Sequence, residues 1–384
     1  MPRHVIPLSR ADIGPAERRA VLRVLRSGRL ALGPQATRFE QQVADYVGVG
    51  HGVAVSSGTA GLHLVVRALG LGPGDEVITS SYSFVASVNC LLYEGVRPVF
   101  ADIDQDTLCL DPALVEQKIT RRTRAILAVD VFGHPADWPA LETIARRHGL
   151  ALIEDSCEAL GSALGARRCG SFGDAAVFAF YPNKQITTGE GGMVVTRRRR
   201  IAELCRSMAN QGRRAAGFGS RWLEHVRLGY NYRMSELAAA LGSAQMERLG
   251  EIVARRQQVA SRYDRLLADL PDVSVPYRAP GAYVSPFVYC VRLAPHLGRA
   301  GRDRVIARLR REGIECADYF RPIHEQPYFL RRTRLPITEE TGSLTIALPF
   351  HNRLPPAQQH RVTAALAHAL RAEARNPRRN RAAG

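Results

Sequence analysis

Lysine is almost absent from this chain: of its 53 basic residues only Lys118 and Lys184 are lysine, and the rest are arginine. Arginine keeps its proton in any protein setting, whereas a lysine amine can be freed of its proton and attack a carbonyl carbon. A lysine retained in so arginine-rich a chain is therefore a candidate for chemistry. Long apolar runs are missing too. No stretch reaches the roughly 18 to 20 residues of a membrane helix, and the opening segment has no apolar core of the kind a secretory signal carries. Cysteine is sparse: seven residues, an odd number, scattered and never at CxxC spacing, which supports neither a disulfide framework nor a zinc site. These absences predict a soluble, cytoplasmic protein without a bound metal or a membrane partner.

What is present fits a packed globular chain. At 384 residues, 46% hydrophobic and 23% charged, it has the size and composition of about two domains, and disorder as its main state is excluded. The formal net charge of +17 invites a nucleic-acid reading. Its distribution argues against one, because the excess sits in short runs such as Arg197 to Arg200 and in the tail beyond Arg371, with no interleaved aromatics.

Apolar, β-rich runs near Val53, Val77, Val99, Ile126, Ile153, Val177 and Val194 alternate with helical patterns over 60–69, 85–94 and 138–148. Such alternation predicts an α/β fold with a mostly parallel central sheet flanked by helices. Ligands of such sheets sit at the carboxyl ends of the strands. A long helical pattern over 234–270 carries the chain onward. The remainder, with a strand near Val288 and helices over 302–312 and 356–371, reads as a smaller C-terminal α+β domain. The expected division is 1–250 for the large domain with an N-terminal segment, 251–374 for the smaller one, and a disordered basic tail over 375–384.

Residues at the predicted strand ends carry the chemistry. Ser56, Ser57, Gly58, Thr59, Ala60 and Gly61 lead into a helix, where free amides, a hydroxyl and glycines permitting close approach make a phosphate cradle; ordinary helix capping accounts for the same residues equally well. Tyr82 and Phe84 follow the second run, where an aromatic can cover a flat ring or simply fill the core. The fifth run ends in Glu154, Asp155, Ser156, Cys157 and Glu158. A carboxylate sent into a crevice needs a cationic partner, either a protonated pyridine nitrogen or one of the many arginines. Lys118 ends an amphipathic pattern, as a solvated cation does. Lys184 instead lies between an apolar run and a glycine-rich turn, in the same crevice. Lysine, acid, phosphate cradle and covering aromatic together meet the requirements of a pyridoxal 5′-phosphate site.

On these residues the chain resembles the DegT/DnrJ/EryC1/StrS family of sugar aminotransferases, of fold type I among pyridoxal-phosphate enzymes. The resemblance rests on SSGTAGLHL at Ser56, SYSFVAS at Ser81, GHPADW at Gly133, IEDSCEALGS at Ile153, GSFGDAAVFAFYPNKQITTGEGGM at Gly170, LGYNYRMSELAAALGSAQMERL at Leu228 and PIHEQPY at Pro322. It implies that Lys184 bonds the cofactor and carries the proton to and from the substrate carbon, that Asp155 holds the pyridine nitrogen, and that Phe84 stacks on the ring. It further implies that Ser57, Gly58, Thr59 and Ala60 bind the phosphate, and that Asn231 reaches the phosphate in the neighbouring subunit of a homodimer with shared active sites. His324 and Tyr181 are candidate sugar contacts, with an ordinary packed histidine the alternative for His324.

Two positions depart from the family pattern. Ala179 stands where many members have a phosphate-binding serine, and Glu158 stands near the cofactor hydroxyl where glutamine or histidine is frequent. Members with glutamate at the latter position include enzymes that aminate C4 of a 4-keto-6-deoxy sugar. The resemblance thus implies transfer from L-glutamate to C4 of a GDP- or UDP-linked keto sugar. A C3-keto sugar, a keto-cyclitol, or a non-catalytic binding role are the alternatives.

Overall fold

The computed structural model describes residues 5–214, 224–329 and 333–375; the tail expected to be disordered lies, from residue 376 on, outside the described residues. Seven strands form the central sheet: β1 (His51–Val55), β2 (Glu76–Ser80), β3 (Arg97–Ala101), β4 (Thr123–Val129), β5 (Ala151–Asp155), β6 (Ala175–Ala179) and β7 (Gly192–Thr196). Their spatial order is β1-β7-β6-β5-β4-β2-β3. β2 to β6 run parallel, and β7 runs antiparallel to both neighbours, β6 and β1. β2 and β7 are buried along their whole length, as strands covered on both faces must be.

Local sequence explains the elements between the strands. Ser57 is extended and its Oγ accepts from the Ala60 amide at 3.1 Å, which starts the helix Gly58–Ala68 directly after β1. Asp137 caps the helix Trp138–His148 in the same way, and Gly149 ends it in the left-handed conformation. The pattern over 234–270 is two helices rather than one, Glu236–Met246 and Leu249–Leu267. They part at Arg248, whose guanidinium joins Glu17 at 2.7 Å, Asp12 at 3.2 Å and Glu251 at 3.2 Å. A tertiary ion cluster here overrides a helix-compatible sequence.

The second of these helices spans two cores. Leu249, Ile252 and Val253 pack with Phe39, Phe178 and Met193 beside the central sheet, whereas Val259, Ala260, Tyr263 and Leu267 pack in a separate C-terminal core. That core covers an antiparallel sheet of Val273–Ser274, Tyr289–Leu293 and Thr345–Leu348, backed by the helices Gly298–Arg311 and Pro356–Ala374. Ile6 belongs to it as well: its amide donates to the Gly313 carbonyl at 2.8 Å, and the Glu315 amide donates back at 3.0 Å. A small third sheet pairs Ala163–Leu164 with Arg167–Arg168 and Ala282–Tyr283. Among the described residues, no helix is long and apolar enough to cross a membrane.

Candidate active site

A cavity of about 440 Å³ opens at the carboxyl ends of β1, β4, β5 and β6, where the topology of a parallel sheet places ligands. The start of the helix Gly58–Ala68 supplies Ser57, Gly58 and Thr59, and the end of β5 supplies Asp155, Cys157 and Glu158. Phe287, Tyr319 and Phe320 close the cavity from the C-terminal part of the chain.

Lys184 follows β6, and its side chain is 12% exposed inside this cavity. Its Nζ lies 3.5 Å from Glu158 Oε1 and 4.0 Å from the centroid of the Phe287 ring, which presents its negative face to the cation. Glu158 is held in turn by the Phe132 amide, which donates to Oε2 at 2.8 Å. Burial is the main influence on Glu158 and pushes its carboxyl above the ordinary range, while Lys184 and the Phe132 N–H act in the opposite direction. Lys118, the other lysine, is exposed just past the short helix Pro112–Glu116, as a solvated cation is.

Asp155 ends β5, paired in register with Val129 of β4, and is buried. Ser87 donates to its Oδ2 at 2.7 Å, and the Cys157 amide donates to Oδ1 at 3.2 Å. Ser83 lies 2.8 Å behind Ser87, so a line of hydroxyls anchors the carboxylate from one side. The neighbouring Cys157 thiol is raised well above its usual range by burial and by the Asp155 charge, which keeps it protonated.

The phosphate cradle is built by close backbone approach. A Cβ on Gly58 would lie 2.8 Å from Ala179 Cβ and 2.9 Å from Cys157 Sγ, so only glycine lets the helix start sit against the strand ends. The first-turn amides of Gly58 and Thr59 have no carbonyl one turn back to bond and are available to an anion. Ala60 is placed differently: its amide is taken by Ser57 Oγ, and it is not among the cavity-lining residues. Ala179 lies in the wall, where it offers no hydroxyl.

Phe84 and Tyr181 line the mouth and are 60% and 52% exposed. Asn231 is exposed on the chain surface and does not line the cavity. His324 is not a lining residue either: its Nδ1 lies 2.7 Å from Ser81 Oγ and its Nε2 3.3 Å from Glu339 Oε1, which occupies both ring nitrogens. The sequence did not single out Ser83, Ser87, Asn183, Glu190, Phe287, Tyr319 or Phe320, all of which line the cavity. Ser83, Ser87, Asn183 and Glu190 lay inside quoted motifs, but the aromatic wall of Phe287, Tyr319 and Phe320 comes from segments with no local signal.

A family model for the DegT/DnrJ/EryC1/StrS aminotransferases matches residues 11–367. The chain belongs to this family. As a DegT/DnrJ/EryC1/StrS aminotransferase it has similar relatives along nearly its full length. It is 41% identical over 344 residues to a GDP-perosamine synthase of Caulobacter vibrioides, covering 88% of this chain and 91% of that protein. It is 37% identical over 372 residues to a dTDP-4-dehydro-2,3,6-trideoxy-D-glucose 4-aminotransferase of Saccharopolyspora spinosa, covering 93% and 95%. In structure it is similar to the aminotransferase TlmJ of Streptoalloteichus hindustanus, with a TM-score of 0.90 and 34% identity over 96% of this chain and 99% of that one. The α/β architecture expected from the sequence is thus the family's own, and the chain is a sugar aminotransferase of a pyridoxal-phosphate-dependent family.

Proposed function

We propose that the chain moves the amino group of L-glutamate to C4 of a nucleotide-linked 4-keto-6-deoxy sugar, using pyridoxal 5′-phosphate held in the cavity around Lys184. The observation that carries this reading is one enclosed space joining the only non-surface lysine of the chain to a buried Asp155 and to the amide cradle of Gly58 and Thr59. That donor set fits the cofactor. Asp155 would hold its ring nitrogen, Gly58 and Thr59 its phosphate, and Phe84 one face of its ring. When bound, the cofactor supplies an electron sink for charge developing on the substrate carbon.

The chain's own residues do the rest. Lys184 Nζ is the movable base: it takes the proton from the amino-bearing carbon of the donor and, in the opposite half of the cycle, returns one to the acceptor carbon. Glu158, 3.5 Å away, orients the ammonium form of that side chain, and Phe287 excludes water from its other side. Phe320 and Tyr319 wall off the space above, so the proton is handed over away from bulk solvent.

Preference for C4 rests on Glu158 and on the names of the relatives, a GDP-perosamine synthase and a 4-aminotransferase of a dTDP-linked sugar. Exposure of Phe84 and Tyr181 at the mouth, and of Asn231 elsewhere on the chain, supports a homodimer in which a second copy completes the mouth and Asn231 serves the neighbouring site. The test is release of 2-oxoglutarate from L-glutamate in a single turnover, followed by a panel of GDP-, UDP- and dTDP-linked 4-keto and 3-keto sugars. Wild type is expected to release 2-oxoglutarate and to aminate a 4-keto sugar, and Lys184→Arg to do neither. Turnover by Lys184→Arg would overturn the assignment, and amination of 3-keto sugars alone would overturn the C4 reading.

A further inference from the structure

Lys184 Nζ has two close neighbours, the Glu158 carboxylate and the Phe287 ring, and the next residue along the chain ties the backbones of both together. Gln185 is buried, and its Nε2 donates to the Glu158 carbonyl at 2.6 Å and to the Ser285 carbonyl at 2.8 Å. An amide nitrogen carries two protons, so both are used. One side chain thus joins the turn bearing Glu158 to the segment bearing Phe287.

That segment, Val284 to Phe287, lies between the strands Ala282–Tyr283 and Tyr289–Leu293, belongs to neither, and is buried from Ser285 onward. Carbonyls buried outside a sheet need donors from elsewhere. Here each of the four accepts from a side chain. Gln257 donates to the Val284 carbonyl, Gln185 to that of Ser285, Arg256 Nε to that of Pro286 at 2.7 Å, and Arg256 Nη2 to that of Phe287 at 2.5 Å. The one amide of the segment with a side-chain partner completes the hold: Ser285 N–H donates to Ser162 Oγ at 2.8 Å, and that hydroxyl donates to the Gly133 carbonyl at 2.6 Å. Gly133 has a φ of 88°, and a Cβ there would collide with the Ser285 carbonyl oxygen, so the turn after β4 rests directly against the segment.

Arg256 holds its two carbonyls with a buried charge. It is 3% exposed, and its printed contacts are those two oxygens and the face of the Phe350 ring, 4.9 Å from the guanidinium carbon, with no carboxylate among the described residues in ion-pair range. A cation taken out of water without an anion is unfavourable, and an apolar side chain would fill the same space more favourably. What a guanidinium offers instead is a rigid planar fork that grips two successive carbonyls at once. Its position suits that task. On the helix Leu249–Leu267, Arg256 falls between Val253 of the core beside the central sheet and Val259 of the C-terminal core, so the fork fixes the segment to the one helix that both cores share.

We infer that Arg256 and Gln185 are positioning residues, which hold the Phe287 ring over the Lys184 amine by fixing the backbone that carries it. This rests on the reading of Lys184 as the base. The aromatic neighbours of Phe287 stand off, Phe132 at 6.3 Å and Tyr319 at 6.5 Å between centroids, near the outer limit of ring–ring contact. Placement of the ring therefore depends chiefly on its backbone. With the fork or the Gln185 bridge removed, a buried carbonyl is left without a donor, the segment shifts to find one, and the ring leaves the amine open to water.

The scarcity of lysine supplies the test. Full-length protein grown on lysine labelled with carbon-13 at Cε gives two methylene signals in a nuclear magnetic resonance spectrum, one from Lys118 and one from Lys184, and Lys184→Arg identifies which is which. Protons over the face of an aromatic ring resonate upfield, so in the chain freed of pyridoxal phosphate the Lys184 signal should lie upfield of that of Lys118, and Phe287→Leu should return it. Arg256→Met and Gln185→Met, which leave Phe287 in the chain, should each return it as well. With cofactor bound, both should slow single-turnover release of 2-oxoglutarate by about tenfold to 100-fold, with little change in the glutamate concentration giving half the maximal rate. A merely structural role would lower the thermal unfolding midpoint and leave the Lys184 signal where it is in wild type. A folded Arg256→Met with an unmoved signal would overturn the inference, as would a wild-type signal that Phe287→Leu does not shift. If Arg256→Met does not fold, Gln185→Met, in which the buried cation and its two bonds remain, decides by the same signal. Should wild type release no 2-oxoglutarate, the aminotransfer reading fails, and the two lysine signals still decide whether Arg256 and Gln185 place the ring.

Discussion

Lys184 and Glu158 face each other across 3.5 Å inside a cavity that nearly excludes solvent from both, with the Phe287 ring on the lysine's other side. This contact fixes where the amine rests between proton transfers. Glu158→Gln keeps the shape and removes the charge, and is expected to slow 2-oxoglutarate release by about tenfold, the usual scale for a lost charged hydrogen bond. Because burial raises the Glu158 carboxyl, it takes up its proton at a pH above that of an ordinary glutamate. Wild-type activity should therefore decline on the acid side at such a pH, and Glu158→Gln should lack that limb. A pH–rate profile of both enzymes checks this, and an unchanged acid limb in the variant would remove Glu158 from the site's chemistry.

Asp155→Asn exchanges an anion for an amide at the cavity floor while Ser87 can still bond the side chain. Single-turnover rates are expected to fall by about 100-fold or more, as for other removed electrostatic contacts of this kind. A rate within a few-fold of wild type would mean that the carboxylate is structural.

Gly58→Ala tests the cradle. The new methyl would meet Ala179 Cβ and Cys157 Sγ at under 3 Å, and relieving such overpacking costs about 1–3 kcal/mol. The helix start would shift away from the strand ends, so the variant should fold but release pyridoxal phosphate on dialysis. Fluorescence titration of cofactor binding distinguishes this from general destabilisation, which calorimetry would report.

Ala179→Ser has the opposite sign. A hydroxyl added at the cavity wall gives a bound phosphate one more donor, and a neutral hydrogen bond contributes about 0.5–1.5 kcal/mol. Cofactor affinity should rise by about twofold to tenfold over wild type. Equal or weaker binding would show that Ser57 or another group already fills that position.

Much of this architecture is legible in the sequence because it depends on local pattern. The apolar runs at Val53, Val77, Ile126, Ile153, Val177 and Val194 are strands, and residues at or past their ends, Ser57, Asp155 and Lys184, meet in one cavity. What escaped depends on tertiary partners. The division of the 234–270 pattern follows from Arg248 meeting Glu17 and Asp12, more than 230 residues away. The left-handed Phe132, which carries the amide that holds Glu158, has a side chain that gives no hint of it. His324 lies in a motif that pointed to the sugar pocket, yet Ser81 and Glu339 bind its ring; hydrogen-bond partners of that kind cannot be read from spacing.

The strand-like pairing of Ile6 with the segment around Ile314 bears on how the protein is made. Leu8 and its partner Glu315 are 307 positions apart, and Phe350 bonds the Leu8 carbonyl from farther still. On a ribosome, Ile6 and Leu8 are exposed long before the backbone that covers them exists. Nearly the whole central sheet can assemble first, and the C-terminal core must then recruit a segment made before that sheet. Closure of so long a loop belongs among the late and slow events of folding.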